Sequence, residues 1–225
     1  MNNYIVATIK DWNITQYKKR TPAYNGNWHL ITDKKELTYN HLKHLNPKYI
    51  FFPHWSWIVP EEIINNFNCV CFHMTDLPYG RGGSPMQNLI SLGHTTTKLS
   101  ALKMEESIDT GPIYLKRALS LEGTAQQIFL RCSALTFDMI EFIVNDNPEV
   151  TPQEGPVTAF SRRNPSQSVI DTNLELDDIF DHIRMLDADS YPKAYIKHGK
   201  YKLEFTNAKK SNDALTANIK LTLLE

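Results

Sequence analysis

Short apolar runs set apart by helix-length polar intervals constrain this chain most. Residues 4–9 (YIVATI), 28–32 (WHLIT), 49–53 (YIFFP) and 69–73 (CVCFH) are β-rich, and the last two are apolar without alternation. A strand apolar at every position is covered on both faces, as in a parallel sheet flanked by helices. Between the runs, a polar helix opens at Thr32–Asp33–Lys34–Lys35, carries Leu37, Leu42 and Leu45, and stops at Asn46–Pro47. A second, short helix begins at Pro60–Glu61–Glu62, with proline in the first turn and two acids at its positive end. Strand, helix, strand, helix, strand predicts right-handed β-α-β units, so the fold class is α/β with a mostly parallel sheet.

Further along, residues 74–85 are a loop rich in Gly and Pro, followed by a helix from Pro85 to Leu92. Residues 96–104 and 112–118 read as an antiparallel pair around a loop at 105–111. The clearest helix is 125–144. Thr124 with Gln127 three positions on makes a capping box, and Ile128, Cys132, Leu135, Met139 and Phe142 form one apolar stripe. Residues 150–156 (VTPQEGP) read as an exposed connector. The chain is therefore divided into a catalytic domain, 1–150, and a C-terminal extension, 151–225. The extension is an α+β appendage with a helix near 176–186 and a hairpin in 195–205 turning at His198–Gly199–Lys200.

Composition narrows the function classes. With 41% hydrophobic residues and a net charge of −1 (24 Lys+Arg against 25 Asp+Glu), the chain buries a core and is not disordered. No run reaches the ~18 apolar residues of a membrane span. No large positive excess serves wholly electrostatic nucleic-acid binding. The amino terminus shows no export signal, and three cysteines, Cys69, Cys71 and Cys132, make no disulfide framework or zinc site. The expectation is a cytoplasmic protein with reduced thiols, no metal and no membrane contact. His41 and His44 lack a third ligand nearby, and Cys132 falls on the core stripe.

Chemistry concentrates at the end of the fourth run. Sites in open parallel sheets form beyond the carboxyl ends of strands, and His73 stands at such an end. Alternation places Cys69, Cys71 and His73 on one face of the strand. The following FHMTDLPYGRGGSP loop brings glycines that allow close backbone approach and prolines that stiffen it. Taken by itself, His73 reads either as a polar strand end or as a reactive imidazole. Asp109, in IleAspThrGlyPro, reads either as a turn former or as a carboxylate that orients His73. Trp12, near the end of the first strand, reads either as a stacking surface or as a packed strand end.

The run HisMetThrAspLeuPro, Arg81–Gly82 and Pro85, followed by IleAspThrGlyProIle, resembles the 10-formyltetrahydrofolate-dependent formyltransferase family. The likeness covers about residues 48–145. It implies a formyltransferase-like Rossmann-type sheet, an N-formyltransferase activity, and 10-formyltetrahydrofolate as formyl donor. It implies that His73 and Asp109 are the catalytic pair. It also implies that Ser56, Trp57 and Val59, with Asp109, bind the folate through the run FFPHWSWIVP. Where the family has an asparagine that bonds the formyl oxygen, this chain has Cys71, a weak donor.

Near-neutral charge, chain length and a C-terminal region similar to that of the sugar N-formyltransferases point to a nucleotide-linked amino sugar as acceptor, serving lipopolysaccharide or other glycan synthesis, with no nucleic acid as partner. Arg81 and Trp12 are the substrate-binding candidates, and edge strands of the extension suggest a homodimer. The alternatives are an aminoacyl or ribonucleotide amine as acceptor, or a binding module that has lost catalysis.

Overall fold

The computed structural model of the chain describes residues 1–189 and 191–224. The first half contains β1 (Asn3–Ala7), α1 (Asp11–Arg20), β2 (Asn27–Ile31), α2 (Tyr39–Leu45), β3 (Pro47–Phe52), α3 (Glu61–Asn66), β4 (Cys69–His73), β5 (Arg81–Gly82) and α4 (Pro85–Ser91). Then follow β6 (Thr96–Lys103), β7 (Ile113–Ser120), α5 (Ala125–Asp146), β8 (Ala159–Phe160), α6 (Leu176–Arg184), β9 (Ala194–His198), β10 (Tyr201–Lys210) and β11 (Leu215–Leu223).

Six strands make one sheet in the order β2-β1-β3-β4-β6-β7. β1 runs parallel to β2 and β3, β3 runs parallel to β4, and β6 joins β4 antiparallel. The fold class is thus α/β with a mostly parallel sheet, and β4, which ends in His73, is an interior strand. One face of this sheet buries Ile5, Ile31, Ile50, Phe52 and Cys69 against Leu42 of α2 and Ile63 of α3. Each such aliphatic side chain contributes ~1.5–3 kcal/mol relative to exposure.

Two local differences from the sequence reading have simple causes. α2 starts at Tyr39 and not at 32–35, because Asp33 Oδ1 accepts the Lys35 N–H in a turn and the Thr38 hydroxyl accepts the His41 N–H as the cap. In α5 the capping box forms in both directions, Gln127 N–H to Thr124 Oγ1 (3.3 Å) and Thr124 N–H to Gln127 Oε1 (3.0 Å). Ile128, Cys132 and Met139 are buried, whereas Leu135 and Phe142 are only half-buried. Thr136, Ile140 and Ile143 lie inside instead, since a helix packed over a wide arc buries more than one stripe.

The chain divides into two compact units, each made from several segments. The first comprises Met1–Gly82, Lys98–Leu119 and Leu130–Ala159; the second comprises Gly83–Thr97, Ser120–Phe129 and Phe160–Glu225. The second unit holds a three-stranded antiparallel sheet, β11-β10-β9. Its β9–β10 hairpin turns at Gly199, which takes φ 56°, as the HisGlyLys run predicts. Within this unit the Arg184 guanidinium donates to the carbonyls of Leu121 (2.6 Å) and Gly123 (3.1 Å), fixing the end of α6. No helix among the described residues is long and apolar enough to cross a membrane.

Candidate active site

β4 delivers His73 to its carboxyl end 7% exposed, and the loop that follows folds back over the ring. Nε2 of His73 lies 2.8 Å from the Gly80 carbonyl oxygen. A carbonyl only accepts, so Nε2 donates to it and Nδ1 is left to face the carboxylate. Nδ1 faces Asp109 Oδ2 at 3.4 Å. The pair is enclosed, with side-chain exposures of 8% and 12%. Residues 36 positions apart in sequence thus meet because β6 returns antiparallel beside β4 and the turn after it brings Asp109 back to the strand end.

Asp109 itself takes φ 56°, a left-handed conformation unusual for a residue with a Cβ. Several contacts hold it there. Its Oδ2 accepts the Gly82 N–H at 2.9 Å, and its carbonyl accepts a Gln153 Nε2–H at 2.8 Å. The other proton of that amide goes to the Gly111 carbonyl, also at 2.8 Å. Gln153 Oε1 accepts from Arg81 Nε (3.1 Å) and Nη2 (2.8 Å).

The segment that supplies Gln153 is tied down at both ends. Thr151 exchanges backbone bonds with Ile113, and Thr158 accepts the Arg81 N–H on its carbonyl and the Gly80 N–H on its hydroxyl. The sequence reading of 150–156 as an exposed connector missed Gln153, and Thr158, just beyond it, drew no reading at all. Their partners are 42 or more residues away, and no local periodicity announces them.

Cys71 lies two residues before His73 on the same strand and is half-buried. Burial first, then the nearby Asp109 carboxylate and Cys69, push its thiol well above the ordinary range, so it stays S–H. Burial also pushes Cys69 and Cys132 up to about 12, so all three thiols are protonated at pH 7.

The loop at 53–59 carries the other predicted residues. Ser56 and Trp57 are exposed, Trp57 at 39%, and Val59 is buried. Trp57 stands edge-on to Trp55, centroids 4.9 Å apart, under the Lys34 ammonium. Trp55 Nε1 is buried with no hydrogen-bond partner among the described residues. Trp12 lies in the first turn of α1, not at a strand end, and meets the His54 ring edge-on at 6.0 Å. Burial, then Lys10, lowers His54 to about 4, so this ring is neutral at pH 7, and its Nδ1 accepts from Asn13 Nδ2 at 3.2 Å. A separate open cavity of about 460 Å³ is lined by Ile64, Lys103, Met104, Glu105 and Thr110, the last adjacent to Asp109. No cluster of three or more His, Cys, Asp or Glu fit to hold a metal is found among the described residues.

Three comparisons bear on this site. A family model described as "Methionyl-tRNA formyltransferase, C-terminal domain" matches residues 165–222. A solved methionyl-tRNA formyltransferase from Clostridium thermocellum is 50% identical, with 99% of this chain and 100% of that one covered and a TM-score of 0.95. The methionyl-tRNA formyltransferase of Sinorhizobium medicae (strain WSM419) is 30% identical over 153 residues, 64% of this chain and 48% of the relative. The chain thus spans about half the length of that curated relative. A solved sugar N-formyltransferase from a Shewanella species is 15% identical with a TM-score of 0.63, covering 88% of this chain and 93% of that one, a likeness of fold alone.

These findings overturn the expected acceptor. The relatives at 30–50% identity are named for methionyl-tRNA, so a nucleotide-linked amino sugar made for lipopolysaccharide or glycan synthesis does not stand, nor does the exclusion of nucleic acid. The expectation rested on net charge, chain length and a C-terminal resemblance, and the first of these averages over the whole chain. Residues 194–224 hold six lysines (Lys197, Lys200, Lys202, Lys209, Lys210, Lys220) against Glu204 and Asp213, a local excess of four hidden by acids elsewhere. Phosphates respond to local potential, not to the sum.

Proposed function

The chain belongs to the formyltransferase family, and from that premise we propose that it formylates the α-amine of methionyl-tRNA with 10-formyltetrahydrofolate as donor. The observation that carries the acceptor is the 50% identity, over 99% of the chain, to a methionyl-tRNA formyltransferase. The buried His73–Asp109 pair supports the chemistry.

In this reading 10-formyltetrahydrofolate supplies the formyl carbon and departs as tetrahydrofolate. Ser56, Trp57, Val59 and Asp109 hold it, and the fit is supported by the unpaired Trp55 N–H, a donor that a heterocycle oxygen or ring nitrogen satisfies. The chain's own groups handle protons and charge. His73 Nδ1 takes the proton that the attacking amine loses and gives it up to the leaving amine nitrogen, while Gly80 keeps the other ring nitrogen protonated. The Asp109 carboxylate stabilises the imidazolium that results. Cys71 S–H is the donor on the strand nearest the developing oxyanion, and a weak one. Arg81 contacts the acceptor, whereas Trp12, 7% exposed and packed edge-on against His54, is a core side chain and not the substrate contact expected of it. Residues 1–150 carry the transfer chemistry, and the lysines of β9–β11 in the 151–225 extension meet tRNA phosphates.

The test offers the purified chain 10-formyltetrahydrofolate with methionyl-tRNA, and in parallel a panel of nucleotide-linked amino sugars. Formylmethionyl-tRNA should form, at a rate that falls steeply as salt rises. Turnover of a sugar with none of methionyl-tRNA would overturn the proposal. In the same assay Cys71→Asn is expected to raise kcat by ~10-fold, because a carboxamide N–H is a far better donor to a developing oxyanion than S–H. An unchanged rate would place that donor elsewhere.

A further inference from the structure

We infer that Gln153 is a positioning residue: one side-chain amide holds Asp109 in its left-handed conformation and links it to Arg81, so a residue outside both motifs aims the carboxylate at His73. The kinetic half of this inference rests on the formyl-transfer reading, and the geometric half stands without it.

The amide uses every hydrogen-bonding site it has. Oε1 takes two guanidinium protons from Arg81, and Nε2 gives one proton each to the carbonyls of Asp109 and Gly111. Its orientation is fixed by chemistry: guanidinium has no acceptor and carbonyls have no donor, so a flipped amide would lose all four bonds. One NH₂ group bridging carbonyls two residues apart sets the curvature of the turn between them. That turn contains Asp109 at φ 56°, a conformation costing ~1–3 kcal/mol that persists only where its surroundings hold it.

The same contacts close a ring. From Gln153 the path runs to the Arg81 side chain, along the backbone to the Gly82 N–H, across to Asp109 Oδ2, and from the Asp109 carbonyl back to Gln153. Asp109 Oδ2 is also the atom that faces His73 Nδ1. Loss of the two amide protons frees the Asp109 backbone to return to negative φ, which swings the carboxylate off both Gly82 and His73.

Two variants test this. Gln153→Glu keeps the acceptor for Arg81 but turns oxygen toward two carbonyl oxygens. Gln153→Met keeps the length and removes all four bonds. In both, the Gly82 amide resonance should move and its hydrogen exchange speed up ~10-fold or more, as its acceptor departs. The single-turnover rate should fall ~10-fold or more while KM for the formyl donor, which keeps its contacts on the 53–59 loop and loses only Asp109, rises by less, the signature of a misaimed group more than of lost binding.

A wild-type single-turnover rate in Gln153→Glu would overturn the inference. So would a Gly82 amide unmoved in both variants, and that result needs no turnover, so it is decisive even if the parent chain transfers no formyl group. Should Gln153→Met fail to fold, Gln153→Glu decides. Failure of both to fold would assign Gln153 to stability and overturn the positioning role.

Discussion

Replacing His73 by alanine is expected to lower kcat by ~10²–10⁴-fold, the usual worth of a positioned acid–base group. The KM for 10-formyltetrahydrofolate should change only a few-fold, because the folate contacts lie on the 53–59 loop and on Asp109, not on the imidazole. The fold should survive. The ring's one strong bond is Nε2–H to the Gly80 carbonyl, worth ~1 kcal/mol net, and that carbonyl keeps the Thr75 hydroxyl at 3.4 Å. Rapid-quench single-turnover measurements on His73→Ala separate the chemical step from product release. A rate within tenfold of the parent would remove His73 as the base, since no second imidazole among the described residues is paired with a buried carboxylate.

Much of this centre is legible in the sequence because it is local. CVCFH reads as a covered strand, and its end fixes where His73 emerges. Thr124 with Gln127 announces the start of α5, and HisGlyLys announces the β9–β10 turn; all three depend on residues within a few positions of one another. What escaped depends on distant partners. Residues 96–104 and 112–118 read as a pair, but nothing local says that β6 lies antiparallel against β4, the contact that brings Asp109 to His73. Gln153 lies in a segment rich in Pro and Gly whose composition says connector, while its four bonds go to Arg81, Asp109 and Gly111. β11 alternates apolar and polar residues, yet it lies at a sheet edge where its apolar positions Ile219, Leu221 and Leu223 are exposed, so no burial demand singled it out. The net charge of −1 that argued against a nucleic acid is likewise a sum, and the lysines of residues 194–224 disappear within it.

The turn that carries Asp109 has one position at which even a methyl group should fail. A Cβ on Gly111 would land on the Lys103 carbonyl oxygen and 3.0 Å from its carbon. That backbone has nowhere to go. The Lys103 N–H is bonded to the Pro112 carbonyl at 2.9 Å, Lys103 pairs with Val70 of β4, and the next residue's N–H is bonded to the Cys69 carbonyl at 2.8 Å. Relief must come from the turn itself, which would pull Gly111 off the Gln153 amide and carry Asp109 with it. Gly111→Ala is therefore expected to destabilise the chain by ~3 kcal/mol, at the upper end of the range for overpacking, and to lower Tm by ~6–12 °C. Urea melts measure the first and calorimetry the second. The loss of activity should exceed what the unfolded fraction explains, since the molecules that remain folded have the carboxylate displaced from Nδ1 of His73. A variant as stable and as active as the parent would mean that the turn has slack, and the close approach between Gly111 and β6 would then not be what sets Asp109 in place.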